Sequence, residues 1–378
     1  MKSKLSDICE YAKGKISVET LDERTYISTE NMLPNKGGVD KASALPNIAQ
    51  TQEYKDGDVL VSNIRPYFKK IWHADNEGGC SNDVLVFRAK DGIDSDYLYY
   101  VLANDEFFDY SMATSKGTKM PRGDKNAIME YEVPVFPLSI QRRIASLLKA
   151  IDGKIAINSE INENLLQQAQ AIFTQEFLMF DEVPDSWQEG SLLDIADYLN
   201  GLAMQKFRPK EGEQGLPVLK IKELRQGSCD ASSELCSPSI KPEYIVHDGD
   251  VIFSWSGSLL VDLWCGGTCG LNQHLFKVTS SKYDKWFYYV WTNHHLDKFA
   301  AIAAGMATTM GHIKREELAK AEVLIPSNAD YDRVGGLLAP LYDLVIANRI
   351  ENRKLAALRD ELLPQLMSGK LDVSAVSL

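Results

Sequence analysis

Long apolar runs are missing from this 378-residue chain. The longest weakly apolar stretch, around residues 299–307, is far too short to span a bilayer, and the opening MKSKLSDICEY lacks the apolar core of a secretory signal. No membrane span is expected, and a cytoplasmic location is. Cysteine is scarce at six residues, a number that points to free thiols rather than a disulfide framework. Cys265, Cys269 and His274, with Cys229 and Cys236 upstream, have the composition of a zinc site but not its usual spacing, so no metal is expected. No glycine-rich loop follows a strand pattern and no P-loop is present, so no cofactor is expected either. Positive charge is in deficit: 41 Lys and Arg against 53 Asp and Glu leave a formal net charge of −12. That balance argues against a phosphate-rich partner, although the distribution of charge, not its sum, is what a polyanion meets.

What the chain does have is itself, twice. Residues 144, 148, 151, 155, 158, 162, 165, 169 and 172 form a seam spaced 4-3-4-3, apolar except for Asn158 and Asn162. Val334, Leu338, Leu341, Val345, Asn348, Asn352, Leu355 and Leu362 repeat it, with Arg359 interrupting, and the asparagine pair recurs at an offset of 190. Leu5-Ser6-Asp7-Ile8 reappears as Leu192-Leu193-Asp194-Ile195, and Asp56-Gly57-Asp58 as Asp248-Gly249-Asp250. A module of roughly 190 residues is therefore written two times, each copy ending in a long helix. Residues 15–55 and 202–247 share almost nothing, as expected of a common scaffold with differing business surfaces.

Within a module, β-rich runs at 59–63, 84–88, 251–255 and 275–279 predict strands, and the Asp-Gly-Asp units before two of them predict turns rather than paired catalytic carboxylates. Residues 97–108 and 285–299 predict helices. The expected fold is α+β, with two globular domains in tandem and two long helices pairing as an antiparallel coiled coil with pseudo-twofold symmetry. The expected divisions are 1–138, a helix over 139–180, 181–328, a helix over 329–369 and a tail at 370–378. Each helix would extend about 57 Å, and neither apolar seam tolerates water. Antiparallel pairing about residues 160 and 350 sets Asn158 against Asn352 and Asn162 against Asn348, polar seam positions that trade stability for register. Pro364 is expected to end or kink the second helix and Gly369 to stop what remains.

Several of these features resemble the specificity subunit of type I restriction-modification systems. They are two dissimilar globular segments each followed by a similar long helix, Gln141-Arg142-Arg143-Ile144-Ala145 leading the first helix, and Asn348-Arg349-Ile350-Glu351-Asn352 within the second. Pro184-Asp185-Ser186-Trp187 opening the second module and the tail Leu362-Leu363-Pro364-Gln365-Leu366 add to the resemblance. It implies a non-catalytic DNA-binding subunit whose globular parts are target recognition domains, each reading half of a bipartite double-stranded DNA target. It further implies helices that set the spacing and dock two methyltransferase subunits, with translocase/nuclease restriction subunits completing a complex that methylates adenine and cleaves DNA with ATP.

Candidate DNA contacts follow from local charge and hydrogen-bonding capacity. In the first module they are Lys116, Thr118, Lys119, Arg122 and Lys125 in one segment, and Asn63, Arg65, Lys69 and Lys70 in another. In the second they are Ser254, Ser256, Gln273, His274, Thr308, Thr309, His312 and Lys314. Taken singly, such a cluster is ordinarily a solvated face; its recurrence at matching places in two modules is what points to an interface. Two other readings compete: a docking or scaffold protein without a DNA role, which the acidic balance favours, and an enzyme with an unrecognised site. Asn63-Ile64-Arg65-Pro66-Tyr67 superficially resembles the Asn-Pro-Pro-Tyr motif of adenine methyltransferases, but its middle positions are wrong for it.

Overall fold

The computed structural model describes residues 2–179, 182–305 and 313–373. The chain forms two compact units, Met1–Gly153 with Leu355–Leu378, and Lys154–Lys354. Both are α+β, and each contains part of both long helices, Leu138–Phe173 and Asn328–Met367.

The first unit is built on an antiparallel sheet in the order Cys9–Tyr11, Val84–Ala89, Val59–Ser62, Ile71–His73. The second repeats it as Asp197–Asn200, Leu275–Thr279, Val251–Ser254, Leu260–Leu263. The Asp-Gly-Asp units are the turns that lead into the central strands. Gly57 (φ +81°) and Gly249 (φ +86°) take the left-handed conformation that glycine adopts without steric cost. Asp58 then accepts the Lys55 N–H at 2.8 Å and pairs with Arg88, while Asp250 accepts the His247 N–H at 2.8 Å and pairs with Lys277 at 2.8 Å. Both carboxylates are consumed by structure.

Residues 15–55 and 202–247 supply a second sheet, and here the copies part. Each has three corresponding strands: in the first unit Gln50–Tyr54 lies antiparallel, and Tyr26–Ile27 parallel, to Gly78–Cys80. In the second, Ile245–Val246 lies antiparallel and Leu216–Leu219 parallel to Cys269–Leu271. The fourth strand is added on opposite edges: Lys15–Ser17 extends the antiparallel side of the first, Leu235–Cys236 the parallel side of the second.

The helix-forming stretches at 97–108 and 285–299 are each two helices rather than one. Ser95–Ala103 and Asp105–Ala113 break at Asn104, whose side chain accepts the Glu106 N–H, and Lys285–His294 and Leu296–Gly305 break at His295. An asparagine that caps a new helix competes with continuing the old one. Pro364 does not end the second long helix, which runs on to Met367. The hydrogen bond lost at proline is offset because Leu363, Leu366 and Met367 are buried in the core of the first unit. Termination comes at Gly369 (φ +72°), where the Lys370 and Gly369 N–H groups bond back to the Gln365 and Leu366 carbonyls.

In the second unit the two long helices run antiparallel. Asn158 donates to Asn352 Oδ1 at 2.8 Å and Asn348 donates to Asn162 Oδ1 at 2.9 Å, while Arg333 pairs with Glu176 at 2.8 Å. The buried amides are largely satisfied, so the seam is polar there without being open to water. Arg353 holds Asp248 through its two terminal guanidinium nitrogens and Arg349 holds Asp262 at 2.7 Å, which ties the second helix to the strand-bearing part of its unit. In the first unit Arg359 pairs with Asp152 at 2.8 Å, and Asp152 also accepts from the Tyr100 hydroxyl at 2.7 Å. The interruption in the seam is thus an ion pair, after which the buried positions shift to Leu363 and Leu366. Gln141, 1% exposed, accepts from the Asp94 N–H and donates to the Phe136 carbonyl, locking the start of the first long helix to its domain. Among the described residues, no helix is long and apolar enough to cross a membrane.

Burial holds His73, His294 and His295 below the ordinary imidazole value of 6.5. A histidine depressed in the folded state binds its proton more readily when unfolded, so its contribution is intact above pH 6.5 and is lost as pH falls below that value. Melting temperature is therefore expected to fall between pH 7 and pH 5.5, and a His295→Gln variant to show a shallower fall. An identical slope in the variant would exclude His295 as a contributor.

Candidate nucleic-acid interface

The central strand of the first unit, Val59–Ser62, ends in Asn63-Ile64-Arg65, and the following loop does not run free. Ile64 forms an isolated bridge with Arg122, the Arg65 N–H donates to the Pro121 carbonyl at 2.8 Å, and the Gly123 N–H donates to the Asn63 carbonyl at 3.2 Å. Lys116 and Arg122 exchange backbone hydrogen bonds at 2.9 and 3.0 Å, closing residues 116–122 into a tight loop. Two basic segments some fifty residues apart are thereby one surface. Lys116, Thr118, Lys119, Arg122 and Lys125 are all exposed on it.

The charges of this surface are partly engaged. Lys116 pairs with Asp124, Arg122 with Asp83 at 3.1 Å, and Lys69 with Asp105 at 2.7 Å. The Lys70 ammonium donates to the Thr29 carbonyl at 2.6 Å, and burial lowers its pKa. Asn63 is buried, and among the described residues its Oδ1 has no hydrogen-bond partner; neither has the Nε of Arg65. The side chain of Lys116 holds the Asp124 carboxyl below the usual range, and the Ala127 and Asn126 N–H groups of the helix it caps add to the effect.

The second unit makes the same junction with different side chains. The residue after the central strand Val251–Ser254 is Trp255, and its carbonyl accepts the Ile313 N–H at 3.0 Å, the counterpart of the Asn63–Gly123 bond. The Trp255 indole N–H donates to Asn200 at 3.1 Å and its ring lies 6.2 Å from that of His274. Ser256 hydrogen-bonds His274 Nδ1 at 3.1 Å, and Gln273 lies 3.3 Å from His274 Nε2, so Ser256, Gln273 and His274 form one polar cluster. Ser256 is nevertheless buried, and Ser254 entirely so, its hydroxyl bonded to the Ser256 and Ser258 carbonyls. Ser254 holds the turn instead of facing a partner, because a strand residue on the inner face of the sheet has no route outward. Lys314 is exposed and precedes the helix Arg315–Ala319. Thr308, Thr309 and His312 lie outside the described residues.

Sequence reasoning passed over residues 33–38, whose Asn35 and Lys36 N–H groups donate to the Phe68 and Lys69 carbonyls at 2.8 Å and join the first surface. Only consecutive polar residues before Gly37-Gly38 signalled a turn there. All six cysteines are free thiols. Cys269 packs in the core beside Cys229, whereas His274 belongs to the Ser256–Gln273 cluster, so the zinc-like set is divided between two places. Among the described residues no group of three or more His, Cys, Asp or Glu could hold a metal ion.

Two copies of one α+β domain, each with a backbone junction at the same sheet corner, define a tandem-repeat protein. Residues 1–167 match the family model described as the type I restriction modification DNA specificity domain. Most of the chain is also similar to curated type I restriction enzyme specificity subunits. It is 24% identical over 306 residues to the type I restriction enzyme MjaIX specificity subunit of Methanocaldococcus jannaschii, covering 75% of this chain and 71% of the relative. With the MjaVIII specificity subunit of the same organism it is 23% identical over 413 residues, covering 98% and 92%. The HindI specificity subunit of Haemophilus influenzae is 26% identical over 313 residues, covering 75% and 64%. The crystal structure of the type I S subunit from M. genitalium superposes with a TM-score of 0.58 at 15% identity, over 99% of this chain and 96% of that one, a likeness of fold.

Proposed function

We propose that this chain is the DNA-reading subunit of a type I restriction-modification complex, with each globular domain reading one half of a bipartite duplex target. It carries no chemistry of its own in this reading. Methylation and ATP-driven cleavage belong to modification and restriction subunits, and the paired helices set the half-site spacing and receive two methyltransferase subunits. The observation that carries the reading is the repeated junction: Gly123 to Asn63 in one domain, Ile313 to Trp255 in the other. The backbone after the central strand is bonded at the same sheet corner in both copies, while the side chains around the junction differ, as two unlike half-sites require. The basic loop at residues 116–125 supports phosphate positioning in the first domain. The Ser256–Gln273–His274 cluster supports hydrogen-bonded base reading in the second.

The test is to co-express the chain with a methyltransferase subunit encoded beside it and to sequence the modified DNA by polymerase kinetics. A motif of two short specific parts separated by a fixed unspecific gap is expected. Exchanging residues 15–55 for those of another specificity subunit is expected to change one part and spare the other. A continuous motif, or no modification, would overturn the reading.

A further inference from the structure

Among the described residues, four that are not glycine hold a left-handed backbone: Asn35 (φ 55°), Lys36 (φ 62°), Arg65 (φ 51°) and Lys69 (φ 50°). Such a conformation costs about 1–3 kcal/mol at each residue, and it persists only where the surroundings enforce it. All four meet at one corner of the first domain. Asn35 and Lys36 donate their N–H groups to the Phe68 and Lys69 carbonyls at 2.8 Å, and Phe68 and Lys69 donate theirs to Arg65 and Pro66 at 2.9 Å. Two cations of the corner brace it: Lys36 and Lys69 converge on Asp105 at 2.8 and 2.7 Å.

What this strained and braced corner presents is a pair of rings. Tyr67 is 49% and Phe68 38% exposed, their centroids 4.7 Å apart, on a turn whose first residue is the conformationally fixed Pro66. Folding alone rewards neither the strain nor the exposure. The turn is bonded to the basic loop through the Arg65 N–H and the Pro121 carbonyl, and Arg65 Nε and Asn63 Oδ1 are buried there without partners among the described residues.

We propose that Tyr67 and Phe68 are a stacking wedge that enters the duplex at one base step of the first half-site, unstacking it and bending the DNA against the loop at residues 116–122. The inference rests on the DNA-reading function proposed above and deepens it. Unstacking a step costs about a few kcal/mol. Ring-on-base stacking returns about 1–3 kcal/mol per base, and the bend brings further phosphates to Lys119 and Arg122. Because the rings are already held outward, little ordering cost remains to be met on binding. A wedge of this kind favours pyrimidine–purine steps, which unstack most readily, so it adds specificity at a position where no side chain reads a base edge.

The experiment uses the full chain assembled with its methyltransferase subunits, and duplexes of the motif established by modification sequencing, with 2-aminopurine placed in turn at each step of the first half-site. Unstacking raises 2-aminopurine fluorescence, and the signal from a base extruded by the methyltransferase is common to all variants and cancels. One step is expected to brighten with the native chain and to stay dark with Tyr67→Ala/Phe68→Ala, with affinity about 10- to 100-fold weaker and a shallower salt slope, since the phosphates that the bend brings to the loop are lost. Phe68→Leu, which keeps bulk but not a ring, should retain part of the signal and the native melting temperature. It holds the test open should the double variant fail to fold. Specific binding with no bright step outside the extruded base, or equal brightness in native and variant chains, would overturn the wedge and leave the DNA-reading function standing. Absence of any sequence-specific binding would overturn both.

Discussion

Replacing Lys116, Lys119 and Arg122 together by alanine is expected to weaken duplex binding about 10- to 1,000-fold near physiological salt and to lower the slope of log affinity against log salt by about 2 to 3. The effect is large because the loop that carries them is closed on itself and fixed to the central strand, so its charges arrive at the phosphates already ordered. Their removal also strips Asp124 and Asp83 of their cationic partners, so that their negative charge opposes the phosphates. The same geometry predicts an opposite result at one position. Asp83→Asn releases Arg122 from its ion pair and should tighten binding, with a steeper salt slope. Fluorescence anisotropy over 50–300 mM salt reads both quantities. Equal slopes for the native and triple-alanine chains would remove this loop from the interface.

Phe177→Ala is expected to destabilise the second unit by about 3–5 kcal/mol, the range for deleting a large buried aromatic. Phe177 is 1% exposed and lies on the π-helical turn Thr174–Leu178 that closes the first long helix. Its ring meets Phe173 at 5.4 Å, Trp187 at 5.3 Å, Phe287 at 6.1 Å and Trp291 at 5.7 Å, so the cavity left by alanine is walled by rigid rings that cannot collapse into it. Trp187 matters twice here, because its indole N–H also donates to Asp330 at 3.0 Å in the first turns of the second long helix. For a unit of this size the loss corresponds to a fall of about 6–20 °C in melting temperature. Differential scanning calorimetry measures it, and a shift below about 2 °C would show that the cluster repacks.

The long helices, the tandem α+β copies and the glycine-dependent turns were legible before any coordinates, because each is governed by local rules. A 4-3 apolar spacing can be buried in only one way along a helix, Asp-Gly-Asp before an apolar run is a turn leading into a strand, and Gly369 is a helix stop, whereas the end expected at Pro364 was overridden by burial of the residues around it. The interface was legible only as residue types. Lys119 and Arg65 belong to segments that look independent, and only the backbone bond from Arg65 to Pro121 makes them neighbours. Ser254 reads as a polar contact residue and is an interior hydroxyl, because the register of the sheet decides which face it occupies.

By itself, then, the sequence determined that a module is repeated, that each copy ends in a long helix with two asparagines in its seam, and that residues 15–55 and 202–247 differ between copies. Period and offset suffice for those statements. The tertiary structure alone decided on which edge each second sheet takes its outer strand, which basic segments share a surface, and that four left-handed residues gather under Tyr67 and Phe68. Those outcomes depend on hydrogen bonds between residues tens of positions apart, whose partners are chosen by packing and not by neighbours in the chain.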